Sequence, residues 1–485
     1  MTDEIENYML SRIRSTPELA RSYTSSGKFS HRYLFFRLRK YLNEFLSGIN
    51  TENRLIMMYG LRGIGKTTLL FQLYNELIQN IKFDNNNNVL YIPVDNLIGY
   101  TSGNLAQVIS VYFERFKKTD IPNLKEKVVI FVDEAHFDEK WEITLKSLYD
   151  QTKNVFIIVT GSSAISLNLT ADTNRRAVKE PLFPLNFSEY EVIKNKIFPI
   201  RNMTSDLQKL ILKRDLTYLL TIQEKEEMLN KSYQSKGIEI KNEIEDFLKF
   251  GGFTTTIMQF NKALYYKQIM DVIRKIISQD LPTIKNFNTN AQQDILRVIG
   301  QLAIKKPGET SHQKIHNSTG ISPTHVKQFF DALEKTHLIF SIKPVGKGAK
   351  KWARTPWKYY FLSPTILCAI RDNLGYDVLT DDTKGLVYET AVASSLFRFS
   401  ETTSEDITIL YDTELKGNVD FLIKNSYSGE VIPVETGYNK ERNKGQLYDA
   451  IERYKSKYGV LITNTLRTEF EDNILKIPFT TFFLL

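Results

Sequence analysis

The chain is poor in cysteine and lacks a long apolar run. Cys368 is the single cysteine among 485 residues, which excludes an internal disulfide framework and a zinc site built from cysteines, and favours a reducing, cytoplasmic compartment. No apolar run reaches the roughly 18 residues that indicate a membrane-spanning helix, and the N-terminal stretch MTDEIENYML is polar and acidic. We therefore expect no signal peptide and no membrane partner.

Glycine, proline and net charge are modest as well. The chain has 23 Gly and 14 Pro against 30 Phe and 25 Tyr, and 42% of its residues are hydrophobic. Such a composition argues against long disordered regions, and 485 residues exceed what one hydrophobic core supports. The net charge of +8 is compatible with nucleic-acid binding but does not by itself indicate it.

The chain does contain the pattern G-x-x-x-x-G-K-[ST] between two apolar segments. The run 54–59 (RLIMMY) predicts a strand, and 67–78 (TTLLFQLYNELI) predicts a helix with leucines on one face. Between them, glycines let backbone N–H groups face nucleotide phosphates at the helix N-terminus. The motif predicts binding of ATP with Mg²⁺, in which the lysine contacts the β- and γ-phosphates and a threonine hydroxyl binds the metal. The residues assigned to the nucleotide are Gly60, Gly63, Gly65, Lys66, Thr67 and Thr68.

A second apolar run, 128–132 (VVIFV), ends in two carboxylates, Asp133 and Glu134. Buried central strands of parallel sheets have this composition, and their carboxyl ends face the ligand. We expect Asp133 to bind Mg²⁺ together with Thr67, and Glu134 to orient and deprotonate the attacking water. The predicted enzyme is a P-loop ATPase.

Two further features follow the second apolar run. The run 155–159 (VFIIV) predicts another buried strand, and a polar group after it, Thr160 or Ser162, is expected to contact the γ-phosphate and the water; an ordinary Gly-Ser turn is the alternative. Arg175 and Arg176 come next, where an arginine can reach a γ-phosphate within the chain or across the interface of a homo-oligomer. The alternative for the arginines is a solvated basic pair.

The stretch 286–361 has the order helix, helix, turn, helix, hairpin, which is typical of a winged helix. Ser322 and Pro323 mark the start of the third helix as N-cap and first-turn proline. From Lys343 to Lys358 there are six basic residues and no acid, which predicts contact with double-stranded DNA, although a winged helix can instead bind proteins. The candidate DNA contacts are Thr324, His325 and Lys327 at the helix start and Lys347, Lys350 and Lys351 in the wing.

These motifs resemble a large family of prokaryotic AAA+-like ATPases. The matching segments, in chain order, are GLRGIGKTTLL, FVDEAH, VTGSS and RRAVKEPLFPLNFSEYE, then FGGF at 250–253, the winged-helix stretch and NVDF at 418–421. Members of this family look like an ATPase joined to a winged helix and a C-terminal restriction-endonuclease-like module. The resemblance covers most of residues 54–465 and implies a nucleotide switch associated with DNA.

The C-terminal order of helices and strands resembles the restriction-endonuclease-like fold. The active form of that fold carries an Asp on one strand and E-x-K on the next, so that two carboxylates bind Mg²⁺ and a lysine positions the water. Asp420 and Glu435 match, and Glu389 matches an acid on the helix, but Gly437 stands at the lysine position. The lysines that could replace it from the following loop or helix are Lys440 and Lys444. We expect a degenerate module that does not cleave DNA.

The predicted fold class is α/β and multidomain. We expect a helical N-terminal segment (1–52), an additional-strand P-loop ATPase core with a parallel sheet (53–190), a helical lid (191–285), the winged helix (286–370) and the nuclease-like α/β domain (371–485). The leading interpretation is an ATPase switch associated with DNA. There are two alternatives: a signalling or scaffold ATPase with a protein-binding C-terminal half, and an ATP-gated DNA nuclease. Salt-dependent DNA binding distinguishes the leading interpretation from the first alternative, and Mg²⁺-dependent nicking identifies the second.

Overall fold

The computed structural model describes residues 2–24, 30–79, 88–162, 169–255, 257, 261–285, 287–307, 311–346, 356–413, 417–438 and 444–485. Four residues with a predicted role lie outside them, namely Lys347, Lys350 and Lys351 of the wing and Lys440 of the nuclease-like domain. The chain divides into two compact units, residues 1–183 and 184–485. The boundary between the units falls a few residues before the predicted end of the ATPase core at 190.

The first unit contains a sheet covered by helices. Its elements in chain order are α1 (Thr2–Thr24), α2 (Tyr33–Ser47), β1 (Leu55–Tyr59), α3 (Lys66–Gln79), β2 (Val89–Pro93), α4 (Val94–Tyr100), α5 (Leu105–Val111), β3 (Val128–Asp133), α6 (Trp141–Gln151), β4 (Val155–Gly161), α7 (Ala171–Arg176) and β5 (Val178–Pro181). Helix α5 continues into a π-helical turn, Tyr112–Lys117.

The sheet of the first unit has five parallel strands in the order β2-β3-β4-β1-β5. Strand β4 therefore lies between β1 and β3, which is the arrangement expected for an additional-strand ATPase. Strands β1, β3 and β4 are buried along their whole lengths, which explains their unbroken apolar sequences. The sequence analysis missed β5 because its four residues, VKEP, form no apolar run and include two charged residues, of which Glu180 is buried against Arg37 and Tyr41.

Helix α1 packs onto the same sheet. Ile5 and Met9 are buried in one cluster with Leu90 and Ile92 of β2. The Tyr8 hydroxyl donates to the carbonyl of Pro93, at a distance of 3.2 Å. The N-terminal helix thus belongs to the core of the first unit, because its apolar face covers the β2 side of the sheet.

The second unit begins with helices and ends with a mixed sheet. Its helices in chain order are α8 (Phe187–Lys194), α9 (Met203–Lys213), α10 (Tyr218–Ser235), α11 (Ile240–Phe250), α12 (Lys262–Lys275), α13 (Leu281–Ile284), α14 (Thr289–Ile304), α15 (His312–Thr319), α16 (Pro323–Lys335), α17 (Pro364–Asn373), α18 (Asp381–Thr402), α19 (Lys444–Arg453) and α20 (Phe479–Phe482). Its strands are β6 (Ile339–Pro344), β7 (Lys358–Phe361), β8 (Ile407–Tyr411), β9 (Phe421–Asn425), β10 (Val431–Gly437), β11 (Gly459–Thr463), β12 (Glu469–Glu471) and β13 (Ile474–Pro478).

The eight strands of the second unit form one sheet in the order β12-β13-β11-β10-β9-β8-β6-β7. Strand β6 pairs antiparallel with β7, as the predicted hairpin requires. It also pairs in parallel with β8, through Lys343 opposite Leu410 and Pro344 opposite Tyr411. The sheet therefore runs across the boundary that the sequence placed at residues 370 and 371.

No helix within the described residues combines the length and the apolar character that crossing a membrane requires.

A buried carboxylate joins distant parts of the second unit. Glu226 of α10 is 5% exposed. It accepts hydrogen bonds from the backbone N–H of Thr468 (2.9 Å), the Thr468 hydroxyl (2.6 Å) and the Thr481 hydroxyl of α20. Each of these donors is itself buried, so each depends on Glu226 for a partner.

We predict that Glu226→Ala destabilises the second unit by about 1–3 kcal/mol, because the substitution leaves buried donors without an acceptor. Glu226→Gln should cost less, since the amide oxygen still accepts. Urea unfolding monitored by circular dichroism measures the effect. The control is Glu227→Ala on the exposed side of the same helix, and an equal loss in both alanine variants would contradict the assignment.

Candidate functional site

The phosphate loop lies between β1 and α3, as the motif predicted. Gly63 and Gly65 have positive φ angles of 76° and 100°, which other residues rarely adopt. Gly60 is required for a different reason, since a Cβ atom there would lie 2.2 Å from the carbonyl oxygen of Leu182. The backbone of the loop therefore depends on all three predicted glycines. Thr68, in the first turn of α3, is half-buried.

Lys66 is buried and its ammonium faces the loop itself. Its Nζ donates to the carbonyl groups of Gly60 (3.0 Å) and Leu61 (3.1 Å). The same Nζ lies 3.7 Å from Oε1 of Glu134, and the other carboxylate oxygen of Glu134 lies 3.4 Å from Nδ1 of His136. The structure thus brings the predicted lysine and the predicted base together across the end of the sheet.

Glu134 has an unusual backbone conformation. Its φ of 51° places it in the left-handed region, which non-glycine residues occupy rarely and mainly where the surroundings enforce it. Its backbone N–H donates to the Thr160 hydroxyl at 3.1 Å. The hydrogen bond from β3 to the end of β4 therefore helps to hold the candidate base in place.

Asp133 is the centre of a group of hydroxyl donors. Its Oδ2 accepts from the Thr67 hydroxyl (2.8 Å) and from the Tyr91 hydroxyl (2.9 Å), and its Oδ1 accepts from the Thr160 hydroxyl. Burial, followed by the charge of Glu134, raises the pKa of Asp133, and the three hydroxyl donors oppose that rise. Thr67 and Asp133 are thus adjacent, as a shared Mg²⁺ requires. Of the two polar candidates after β4, Thr160 contacts Asp133.

The two arginines lie in an ion-pair network on the surface of the first unit. Arg176 pairs with Asp150 and Asp172, each at 2.7 Å, and Arg175 pairs with Asp172 at 3.0 Å. The side chain of Arg175 is 78% exposed. In the described part of the chain, neither arginine forms an ion pair with Glu134 or Asp133.

Arg32 is a contact of the phosphate loop that the sequence analysis missed. It lies just before α2 and is 4% exposed. Its guanidinium donates to the carbonyl of Ile64 in the loop (2.9 Å) and to the carbonyl of Phe183 (2.8 Å). A buried arginine far upstream of the motif therefore ties the loop to the end of the first unit, and no local pattern marks it.

The third helix of the predicted winged helix, α16, begins as expected. The Ser322 side chain caps it by accepting from the N–H of His325, and Pro323 is in its first turn. Thr324, His325 and Lys327 are exposed at this end of the helix. The three candidate DNA contacts that the structure describes are therefore accessible.

The three predicted nuclease-like carboxylates lie near one another in the second unit. The N–H of Asp420 donates to Glu435 (3.1 Å), and the Tyr360 hydroxyl of β7 donates to Glu389 (2.8 Å). Burial raises the pKa of Glu389 to about 7 and that of Glu435 to about 10, and the charge of Asp420 acts in the same direction on both. Three carboxyl groups that lie close together are costly to ionise together.

Lys358, at the start of β7, is the cation that acts on all of them. Its charge lowers the pKa of Glu389, Asp420 and Glu435, although the sequence analysis assigned it to DNA phosphate. Among the described residues, no group of three or more His, Cys, Asp or Glu side chains is arranged to hold a metal ion.

Comparison with known proteins gives a family for part of the chain. Residues 52–191 match the family model described as "AAA domain", and residues 241–377 match a domain of unknown function, DUF8612. The AAA match covers the sheet, the phosphate loop and the residues around Asp133.

Two proteins of Methanocaldococcus jannaschii are similar over most of the chain. The uncharacterized protein MJ1637 is 30% identical over 484 residues, which cover 99% of this chain and 94% of that protein. The uncharacterized protein MJ1544 is 22% identical over 408 residues, which cover 83% of this chain and 78% of that protein.

Solved structures of AAA+ proteins are similar at low scores. Aeropyrum pernix ORC1 in complex with DNA has a TM-score of 0.29 at 12% identity, covering 70% of this chain and 91% of that one. AMPPCP-bound DnaA from Aquifex aeolicus has a TM-score of 0.25 at 16% identity, covering 63% and 90%. At these scores the similarity carries no argument about function. On the full-length match, the chain belongs to the family of M. jannaschii MJ1637, and its residues 52–191 are an AAA domain.

Proposed function

We propose that the AAA domain binds Mg-ATP and hydrolyses it, so that the chain acts as a nucleotide switch. One observation carries this proposal: the ends of three adjacent strands place complementary groups together. Thr67 and Thr160 both donate to Asp133, and Lys66 lies 3.7 Å from Glu134. ATP hydrolysis needs a loop that binds phosphate, a pair of oxygens that bind the metal, and a carboxylate base.

The chemistry of the donors fits ATP and Mg²⁺. The N–H groups of the glycine loop and the Lys66 ammonium suit phosphate oxygens, and the oxygens of Thr67 and Asp133 suit Mg²⁺. On nucleotide binding, we expect Lys66 to exchange its backbone carbonyl partners for the β- and γ-phosphates. When bound, Mg²⁺ would neutralise negative charge on the phosphate oxygens.

Glu134 is the residue proposed to activate water. As the water oxygen attacks the γ-phosphorus, the Glu134 carboxylate accepts the proton, and the bond between that phosphorus and the bridging oxygen of ADP breaks. The side chain is 20% exposed, so water can reach it. Thr160 would orient this water while its hydroxyl links the backbone of Glu134 to Asp133.

Arg175 is the stronger of the two arginine candidates for a contact with the γ-phosphate. Its side chain is 78% exposed and has one acidic partner, Asp172, whereas Arg176 is 27% exposed and bridges two carboxylates. An exposed arginine can exchange a surface partner at little cost. We propose that Arg175 acts across the interface of a homo-oligomer.

We predict that Glu134→Gln binds ATP like the wild type but lowers turnover by about 10²-fold or more, because the amide cannot accept the proton. Lys66→Ala should lose ATP binding, since the loop then lacks its cation. Titration with a fluorescent ATP analogue and phosphate release measure the two effects. The control is Glu139→Gln, which changes an exposed carboxylate nearby in the chain. Unchanged ATP hydrolysis in Glu134→Gln would exclude Glu134 as the residue that activates water.

We further propose that the second unit associates with double-stranded DNA through a winged helix formed by α14, α15, α16 and the β6–β7 hairpin. The exposed start of α16, with Thr324, His325 and Lys327, supports it, because such a helix end can enter the major groove. The six basic residues from Lys343 to Lys358, a stretch that contains no acidic residue, would contact the phosphates of the DNA.

We predict that Lys327→Glu weakens binding to duplex DNA and reduces the slope of log K against log salt by about 0.9, the value for one phosphate contact. Fluorescence anisotropy at several salt concentrations measures the slope. Lys335→Glu, which makes the same charge change at the exposed far end of the same helix, should have a smaller effect. Equal effects of the two variants, or no salt-dependent binding by the wild type, would favour the signalling or scaffold alternative.

For the C-terminal carboxylates we propose a nuclease-like site that is weak or silent. Asp420 immediately precedes β9, Glu435 lies on the neighbouring strand β10, and Gly437 offers no ammonium to polarise a water. Lys444 begins α19 and remains a candidate for that role, as does Lys440. Burial and the charge of Asp420 raise the pKa of Glu435, which favours the protonated form of its carboxyl group in the absence of a bound cation.

We predict that the wild type does not nick supercoiled plasmid in the presence of Mg²⁺ or Mn²⁺, with or without ATP, and that Gly437→Lys gains measurable nicking because it restores the missing lysine. Adding Asp420→Ala to Gly437→Lys should abolish the gain. Wild-type nicking that Asp420→Ala eliminates would contradict the silent site. In that case alanine variants of Lys358, Lys440 and Lys444 would identify the catalytic lysine.

A further inference from the structure

Tyr91 of β2 is an unexpected member of the site around Asp133. The phosphate loop supplies Thr67, and the strand after Asp133 supplies Thr160, as the motifs lead one to expect. The third hydroxyl donor comes from the middle of β2, a strand that contributes no motif, and the Tyr91 hydroxyl lies 2.9 Å from Oδ2 of Asp133. This contact is buried, since Tyr91 is 6% exposed and Asp133 is 4% exposed.

The register of the sheet explains why the hydroxyl reaches the carboxylate. Tyr91 lies opposite Phe131, and Pro93 lies opposite Asp133, in the parallel pair of β2 and β3. Paired residues share a face of the sheet, and side chains two positions apart on a strand also share a face. The Tyr91 side chain therefore starts one repeat behind Asp133 on the same face, and its length brings the hydroxyl to the carboxylate.

Packing holds the Tyr91 ring in this direction. The ring lies against Phe71 of α3, with the ring centroids 4.8 Å apart. Helix α3 carries Thr67 at its start, so the helix that supplies one hydroxyl donor also supports the ring that carries another. Two of the three donors to Asp133 thus depend on the placement of α3 against β2 and β3.

The hydrogen bond also matters electrostatically. Burial and the neighbouring Glu134 disfavour the ionised form of Asp133, and each hydroxyl donor favours it. Burial and Asp133 raise the pKa of Tyr91, so its hydroxyl keeps its proton and remains a donor. Tyr91 thus binds the carboxylate oxygen of Asp133 that also accepts from Thr67, which fixes the orientation of the carboxylate.

We propose that Tyr91 is a positioning residue for the metal site, which holds the Asp133 carboxylate in the orientation that Mg²⁺ with nucleotide requires. The proposal rests on the proposed ATPase function of this domain. Tyr91 contacts the Asp133 carboxylate and would act on the metal site through it. Its loss should therefore change the requirement for Mg²⁺ more than the binding of nucleotide alone.

The test is Tyr91→Phe, which removes the hydroxyl and keeps the ring against Phe71. We expect ATP affinity in EDTA to be unchanged and the Mg²⁺ concentration for half-maximal turnover to rise about 10-fold or more, the size expected for losing a hydrogen bond to a charged group. Turnover at saturating Mg²⁺ should fall less than in Glu134→Gln. The matched control is Tyr74→Phe, at a tyrosine of α3 that is 2% exposed and does not donate to Asp133.

Metal affinity without turnover provides the second measurement. Mn²⁺ binding to the ADP complex, followed by electron paramagnetic resonance, should weaken about 10-fold in Tyr91→Phe and stay unchanged in Tyr74→Phe. This separates the two proposals: a wild type that binds Mn²⁺ with ADP but does not hydrolyse ATP contradicts the ATPase function alone. An unchanged metal requirement in Tyr91→Phe, or an equal shift in both tyrosine variants, would overturn the role of Tyr91.

Discussion

The first unit depends on one buried charge, the carboxylate of Asp133. A carboxylate that is removed from water is stable only if hydrogen bonds replace its solvation. Here the replacements are hydroxyl groups of Thr67, Tyr91 and Thr160, from the phosphate-loop helix and from the strands on either side of β3. Each donor reaches Asp133 only if the strands and α3 are arranged as they are here. The same arrangement therefore sets the geometry of the proposed metal site.

Backbone carbonyl groups of the phosphate loop replace the lost solvation of buried cations in a similar way. The buried ammonium of Lys66 bonds two loop carbonyls and lies near Glu134, and the guanidinium of Arg32 bonds a third loop carbonyl. Carbonyl groups of the loop thus hold two buried cations, Lys66 from within the loop and Arg32 from outside it. Exchange of carbonyl partners for phosphate oxygens is the physical basis of the proposed switch.

In the second unit, the pairing of β6 with β8 joins the predicted wing hairpin to the C-terminal sheet. The Tyr360 hydroxyl of β7 donates to Glu389 of α18, and Lys358 of the same strand acts electrostatically on Glu389, Asp420 and Glu435. A residue that charge patterning assigns to DNA phosphate therefore also favours the ionised form of these three carboxyl groups. The same lysine belongs to both proposed functions of this unit.

The sequence by itself determined the local features of this protein: the glycine loop, the buried strands before Asp133 and Thr160, and the capped start of α16. Each is encoded within a few neighbouring residues, by backbone requirements of glycine, by unbroken apolar runs or by an N-cap. Only the tertiary structure decided that Tyr91 donates to Asp133, that Arg32 holds the loop, that β5 joins the sheet edge and that Lys358 faces the acids. Those contacts depend on strand order and register between segments far apart in the chain, and a single sequence carries no local signal for either.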